Sequence, residues 1–355
     1  MKLASMILTL FAAAALAPLA TAQQTKFSVG TASASPGEKA TGYIEVPAGS
    51  DVALNIPVAV IRGAKPGPVL ALVAGSHGTE YASIIALEKI IAEADPAEIS
   101  GTLIILPLVN VNSFEQIVPH LNPADNKNMN RMYPGKPDGT QTERAAWAIT
   151  KQVIEKCDYL VDFHGGDIDE NLRPYAYWSP TGTAKQDETS RQMVLAFGLR
   201  TIIIWNGRPA DPNDSRYLDN TSSTRGKPSI AVEAGYAGTV QPEDVHALVR
   251  GSYNVMRFLK MLPGEAQPVE HPVWIASIAN VTASEPGIFY PLVQPATYVA
   301  TGEIIGYVTD FFGKKTSDAR APSSGIVLYI RAVPSLKNGD TIANIGVIAD
   351  KSPEN

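Results

Sequence analysis

The chain has 355 residues, 45% of them hydrophobic and 18% charged, with a formal net charge of −6 at pH 7. That length supports one large core and a smaller one, and the composition excludes an intrinsically disordered chain. The acidic balance and the absence of any Lys/Arg cluster speak against a nucleic-acid partner.

The first residues read as a signal peptide over 1–22. Lys2 is the positive start, 6–17 is a short apolar core, and Ala20-Thr21-Ala22 supplies the small residues of a cleavage site. The apolar run is too short for a spanning helix, an uncleaved anchor being the alternative. The expectation is a periplasmic or secreted protein, mature from near Gln23, with no membrane association after cleavage. Cys157 is the single cysteine, so no internal disulfide is expected. In an apolar-flanked helix it reads as a small core residue.

Residues 23–50, rich in Ser, Thr, Gly and Ala, read as an N-terminal lead-in with one strand at 42–46. From 51 to 265 the pattern is that of a catalytic domain. Apolar runs at 52–61, 69–74, 102–109, 159–163, 201–205 and 229–233 predict strands. Helical spacing predicts helices over 81–94, 140–156 and 242–262. This alternation implies an α/β fold with a mixed, largely parallel twisted sheet and helices on both faces. Two polar stretches, 110–139 and 165–190, read as long loops, and loops of that length are usually functional. After a linker at 263–268, residues 270–350 predict a small all-β C-terminal domain. It carries a weak repeat: Gly287-Ile288-Phe289-Tyr290 with Gly302-Glu303 is echoed by Gly325-Ile326-Val327-Leu328 with Gly339-Asp340. The duplication resembles the hammerhead of lipoyl and biotinyl carriers. Lys314 and Lys315 lack the sequence context that those carriers modify, so the domain reads as structural.

The chemistry gathers in a few short blocks. Gly75-Ser76-His77-Gly78-Thr79-Glu80 lies where a buried strand turns into a helix, and can bring an imidazole and a carboxylate to one side of that turn. His164 closes the strand 159–163 and adds a third ligand type, with Asp162 on the same face as an orienting group. Glu233 ends the strand 229–233, where a carboxylate is costly unless it works, and is a candidate general base. Asn130 and Arg131, in the first long loop, can clamp a carboxylate. His246 and His271 read as structural.

These blocks, with Asn128-Met129-Asn130-Arg131-Met132-Tyr133-Pro134-Gly135 and Val232-Glu233-Ala234-Gly235, stand in an order that resembles the succinylglutamate desuccinylase/aspartoacylase family, which is related to zinc carboxypeptidases. The resemblance spans roughly residues 50–350. It implies one zinc ion per subunit held by His77, Glu80 and His164, with Glu233 as base and proton shuttle. Asn130 and Arg131 would hold the substrate carboxylate. Two positions depart from the family pattern. Asn128 and Met129 replace its Asp-Leu, and no arginine stands upstream in the loop, where His120, or Lys127 closer in, is the candidate donor to the oxyanion. The expected activity is zinc-dependent hydrolysis of the amide in an N-acyl amino acid or similar small, carboxylate-bearing amide. A periplasmic carboxypeptidase acting on peptides or cell-wall fragments is the alternative, followed by a non-enzymatic metal- or solute-binding protein. The acyl group and self-association stay open.

Overall fold

The computed structural model describes residues 26–353, and the expected signal segment lies outside the described residues. Strands β1 (Phe27–Val29), β2 (Ala32–Ala34), β3 (Glu38–Val46), β4 (Leu54–Arg62) and β5 (Lys65–Ala74) precede helix α1 (Tyr81–Glu93). Then come β6 (Ser100–Leu106), α2 (Val111–Gln116), α3 (Gln141–Ile149), β7 (Tyr159–His164), β8 (Glu170–Leu172) and β9 (Tyr175–Trp178). They are followed by α4 (Ala184–Phe197), β10 (Thr201–Ile204), α5 (Leu218–Ser223), β11 (Ser229–Glu233) and α6 (Pro242–Phe258). The C-terminal strands are β12 (Val273–Thr282), β13 (Gly287–Pro291), β14 (Tyr298–Val299), β15 (Ile304–Thr309), β16 (Lys315–Arg320), β17 (Gly325–Arg331), β18 (Ser335–Leu336) and β19 (Thr341–Ile348).

One mixed sheet runs in the order β14-β17-β19-β12-β10-β9-β11-β7-β5-β6-β4-β3, with β8 paired to β17. At its centre β6, β5, β7 and β11 are parallel neighbours. Strand β5 shows why such strands read as unbroken apolar runs. Leu70, Leu72 and Ala74 pack with α1, α4 and α6 on one face, while Ala71 and Val73 face α3 and the β1–β2 hairpin on the other. The result is a sheet covered by helices on both sides.

The C-terminal strands form a two-layered unit over a core that includes Phe289, Ile305, Val308, Val327 and Ile345. The repeat legible in the sequence is reciprocal here. β14 of the first half pairs with β17 of the second, and β18 of the second pairs with β13 of the first. The sheet also crosses into this unit without a break, because β12 is hydrogen-bonded both to β10, in parallel, and to β19.

Three stretches differ from the sequence expectation. The lead-in holds three strands, and β3 pairs with β4 over nine registered positions from Glu38 to Val46. Its small polar residues conceal the alternation of an edge strand with one wet face. The stretch 165–190 holds β8, β9 and the start of α4, whose turns are marked by Pro and Asp rather than by periodicity. The helix expected over 140–156 leaves α geometry at Thr150 and continues as a π-helical segment, Thr150–Ile154. Among the described residues no helix is long and apolar enough to cross a membrane.

Candidate active site

Parallel strands place functional groups at their carboxyl ends, and here β5, β7 and β11 end side by side, with Glu233 in register with His164. Gly75 takes the chain off β5 at φ +70°, a backbone that L side chains rarely adopt, and a Cβ there would lie 2.9 Å from Leu108 Cα. Gly78 allows the next segment to approach: its N–H donates to Ser113 Oγ at 2.9 Å, and a Cβ would come within 2.3 Å of the Phe114 nitrogen. Glu80 occupies the N-cap position of α1 but makes no side-chain cap. Its carboxylate turns to the histidines instead.

His77 Nδ1 lies 2.6 Å from Glu80 Oε1, and His164 Nδ1 lies 3.0 Å from Glu80 Oε2. Asn128 Oδ1 accepts the Asn130 N–H at 2.9 Å, which fixes it as the amide oxygen, so His77 Nε2, 3.1 Å away, must donate to it. That leaves Nδ1, which faces Glu80 Oε1 at 2.6 Å, as the ring atom available to a metal. At His164 the outer nitrogen lies 3.1 Å from Asp162 Oδ1, off the line of a hydrogen bond, and 2.9 Å from Asn130 Nδ2. The donor atoms of His77, Glu80 and His164 all lie within 4.8 Å of one another. That spacing and the nitrogen and oxygen donors fit a zinc ion, with Asn128 Oδ1 as the outer acceptor behind His77. Burial by itself would raise the Glu80 carboxyl, but His77 and His164 outweigh it and hold it below its ordinary value.

The three groups sit at the floor of a cavity of about 600 Å³. Glu233 lines it, and burial, with Glu80, Glu170 and Asp162 as neighbours, raises its carboxyl well above the ordinary range against the pull of His164. Glu170 is pushed up to about 7 by burial and by Glu80. Tyr175, Tyr177, Trp205 and Tyr217 supply aromatic walls.

Arg131 is the exposed cation of the wall. Its guanidinium lies 4.6 Å over the Tyr217 ring and donates to the Asn130 carbonyl at 2.7 Å. Asn130 is turned inward, accepting the Leu218 N–H at 2.8 Å and meeting His164, so among the described residues Arg131 is the better placed of the pair to meet a carboxylate. His120 also lines the cavity, edge-on to His77 with ring centroids 5.8 Å apart. Its Nδ1 faces Asp167 at 3.1 Å and its Nε2 faces Asp169 at 2.9 Å. Burial would lower this imidazole, but the Asp169 hydrogen bond and the charges of Asp167 and Glu170 override it and push it up to about 9. A charged ring with both N–H groups on carboxylates has none left for an oxyanion. Lys127, the other candidate, pairs with Glu143 at 2.9 Å and is not among the cavity-lining residues.

Several cavity residues escape the sequence reading. Tyr329, Arg331, Asp340, Thr341 and Asn344 come from the C-terminal strands. Arg331 bridges Asp169 (3.4 Å) and Asp340 (3.2 Å), tying that unit to the His120 cluster. Nothing local marks an arginine ending an apolar strand as part of a site whose other residues, His77 to Glu233, lie far upstream. Asp167 and Glu170 do carry a signal, as carboxylates in the loop directly after His164.

Comparison with known proteins identifies the family. The model of the succinylglutamate desuccinylase/aspartoacylase catalytic domain matches residues 66–259, more than half of the chain. The chain is 28% identical over 319 residues to an N-alpha-acetyl-L-2,4-diaminobutyric acid deacetylase of Halomonas elongata, covering 87% of this chain and 92% of that protein. Among solved structures it resembles the product-bound ectoine utilization protein EutE (DoeB) of Ruegeria pomeroyi, with a TM-score of 0.79, 25% identity and coverage of 87% and 95%. A succinylglutamate desuccinylase of Silicibacter sp. TM1040 shares the fold, with a TM-score of 0.78, 24% identity and coverage of 88% and 95%. The chain is thus a hydrolase of amide carbon–nitrogen bonds, and it belongs to the succinylglutamate desuccinylase/aspartoacylase family.

Proposed function

We propose that the protein is a zinc-dependent deacylase of small N-acyl amino acids. The observation that carries this reading is the convergence of His77 Nδ1, His164 Nδ1 and the Glu80 carboxylate beside Glu233, one strand away. His77, Glu80 and His164 would hold one zinc per subunit, which supplies Lewis acidity for water activation and carbonyl polarisation. Glu233 then acts as the base. It takes a proton from the attacking water onto a carboxylate oxygen and returns it to the departing amine nitrogen. Arg131 holds the α-carboxylate, with its guanidinium pre-set against Tyr217. A deacetylase as relative supports a small acyl group.

Tyr329, Arg331 and Asp340 line the cavity from the C-terminal unit, and a volume of about 600 Å³ suits a small amide. The reading is tested by loading purified protein with zinc and comparing N-acetyl, N-succinyl and N-formyl amino acids with dipeptides. Turnover of an N-acyl amino acid, lost on chelation and restored by zinc, is expected; faster cleavage of dipeptides would replace it with the peptidase reading. We further propose export through residues 1–22, checked by cell fractionation and N-terminal sequencing of the mature chain.

A further inference from the structure

Most acidic groups of the cavity are matched. Glu80 and Asp162 lie against histidines, and Asp169 and Asp340 lie against Arg331. Glu170, Glu233 and Asp219 have no ion-pair partner among the described residues, and Asp219, in the first turn of α5, is the least exposed of the three. It is 6% exposed and lines the cavity. Its hydrogen bonds come from Asn220, which donates through its backbone and, at 2.8 Å, through Nδ2. That bond fixes the amide: turning it over would set Asn220 Oδ1 against the Asp219 carboxylate. Asn220 Oδ1 is therefore an acceptor. It is buried, in a residue only 1% exposed, and has no hydrogen-bond partner. A carboxylate with no ion-pair partner and an orphaned carbonyl oxygen lining one cavity, with the His164 ring as the one positive group acting from further off, are costly to bury unless a donor arrives.

The geometry assigns to Asp219 and Asn220 the recognition of a positively charged side-chain amine on the substrate. This inference rests on the deacylase reading above and deepens it: the substrate is an Nα-acyl diamino monocarboxylic acid. An ammonium group carries three N–H donors and no acceptor, which suits a pair that offers only acceptors here. Tyr217 stands two residues before Asp219 and packs under Arg131, so one segment of chain supports both contacts, to the carboxylate and to the amine. A neutral side chain of equal length would leave both acceptors unpaired, which is how a polar pocket rejects an analogue lacking the group.

The test uses the zinc-loaded full chain and two substrates that differ only in that amine, Nα-acetyl-L-2,4-diaminobutyrate and Nα-acetyl-L-2-aminobutyrate. The diamino compound is expected to be favoured in kcat/KM by about 30-fold or more, the loss typical of leaving a buried charge unpaired. Asp219→Asn keeps the shape and should raise KM for the diamino compound more than for the neutral one, narrowing the ratio of kcat/KM between them. Equal kcat/KM for the two substrates overturns the inference, and so does an equal fall on both in Asp219→Asn. If neither compound is hydrolysed, the deacylase reading fails, and calorimetry decides the pocket separately. Tighter binding of L-2,4-diaminobutyrate than of L-2-aminobutyrate upholds the assignment, and equal binding overturns it.

Discussion

Asp167 holds His120 twice: Oδ2 accepts the His120 backbone N–H at 3.0 Å and lies 3.1 Å from its Nδ1. This secures a non-glycine residue at φ +61°. The other oxygen accepts the Ile168 N–H at 2.6 Å and the Thr79 hydroxyl, so one fully buried carboxylate joins three loops of the cavity. Asp167→Asn removes the charge and turns one acceptor into a donor. We expect a loss of about 1.5–3 kcal/mol, as for hydrogen bonds to a charged group with His120 partly exposed, read as a lower midpoint in chemical denaturation.

Glu233→Gln separates metal binding from proton transfer. The amide fills the same space and His77, Glu80 and His164 are untouched, so zinc content by elemental analysis should match the wild type. Turnover should fall by about 10²–10⁴, the usual worth of a positioned general base. Substantial turnover in the zinc-loaded variant would remove Glu233 from the role. By contrast, Glu80→Gln replaces a carboxylate facing both imidazoles and should lose the metal itself.

Glu143 links the long loop to α3. Its carboxylate accepts the Thr140 N–H at 3.0 Å in a capping box and pairs with Lys127 and Lys136. The Thr140 bonds and Lys127 hold its carboxyl down to about 2. A depressed folded value stabilises above the unfolded one, near 4.3, and that contribution is lost as pH falls towards 2. Glu143→Ala should cost about 1 kcal/mol at pH 7. In urea titrations at pH 7 and pH 3, the wild type should lose more stability on acidification than the variant.

Cys157 is 1% exposed, and burial pushes its thiol up to about 12. The thiolate is the reactive species. A thiol reagent at pH 8 should leave the native protein unlabelled and modify one thiol after unfolding in guanidinium. Rapid labelling of native protein would show that the packing around Leu160 and Val153 opens.

The blocks legible in the sequence share one property: their geometry is set within a few residues. His77 and Glu80 follow a strand buried on both faces and a glycine turn, and His164 and Glu233 end apolar strands, so the carboxyl-edge rule alone brings them together. Arg131 was legible only through its block, and Asn130 turns inward because of Leu218, 88 residues away. Strand β8 could not be read locally, since its partner is β17 and its three residues hold no pattern. The same holds for Arg331, whose place in the cavity depends on that long-range pairing. His120 was found by spacing, but its two aspartates, which decide what its ring can do, lie beyond the first loop.

The unbroken ladder from β10 into β12 has a mechanical consequence. Floor and roof of the cavity belong to one hydrogen-bonded beam, with Thr201, Ile202 and Ile203 registered against Val273, Trp274 and Ile275. Swinging the roof away as a rigid lid would unzip that ladder and pull Arg331 off Asp169. The part of the cavity wall that holds Tyr329 and Arg331 is thus fixed by the same sheet that carries the metal-ligand edge.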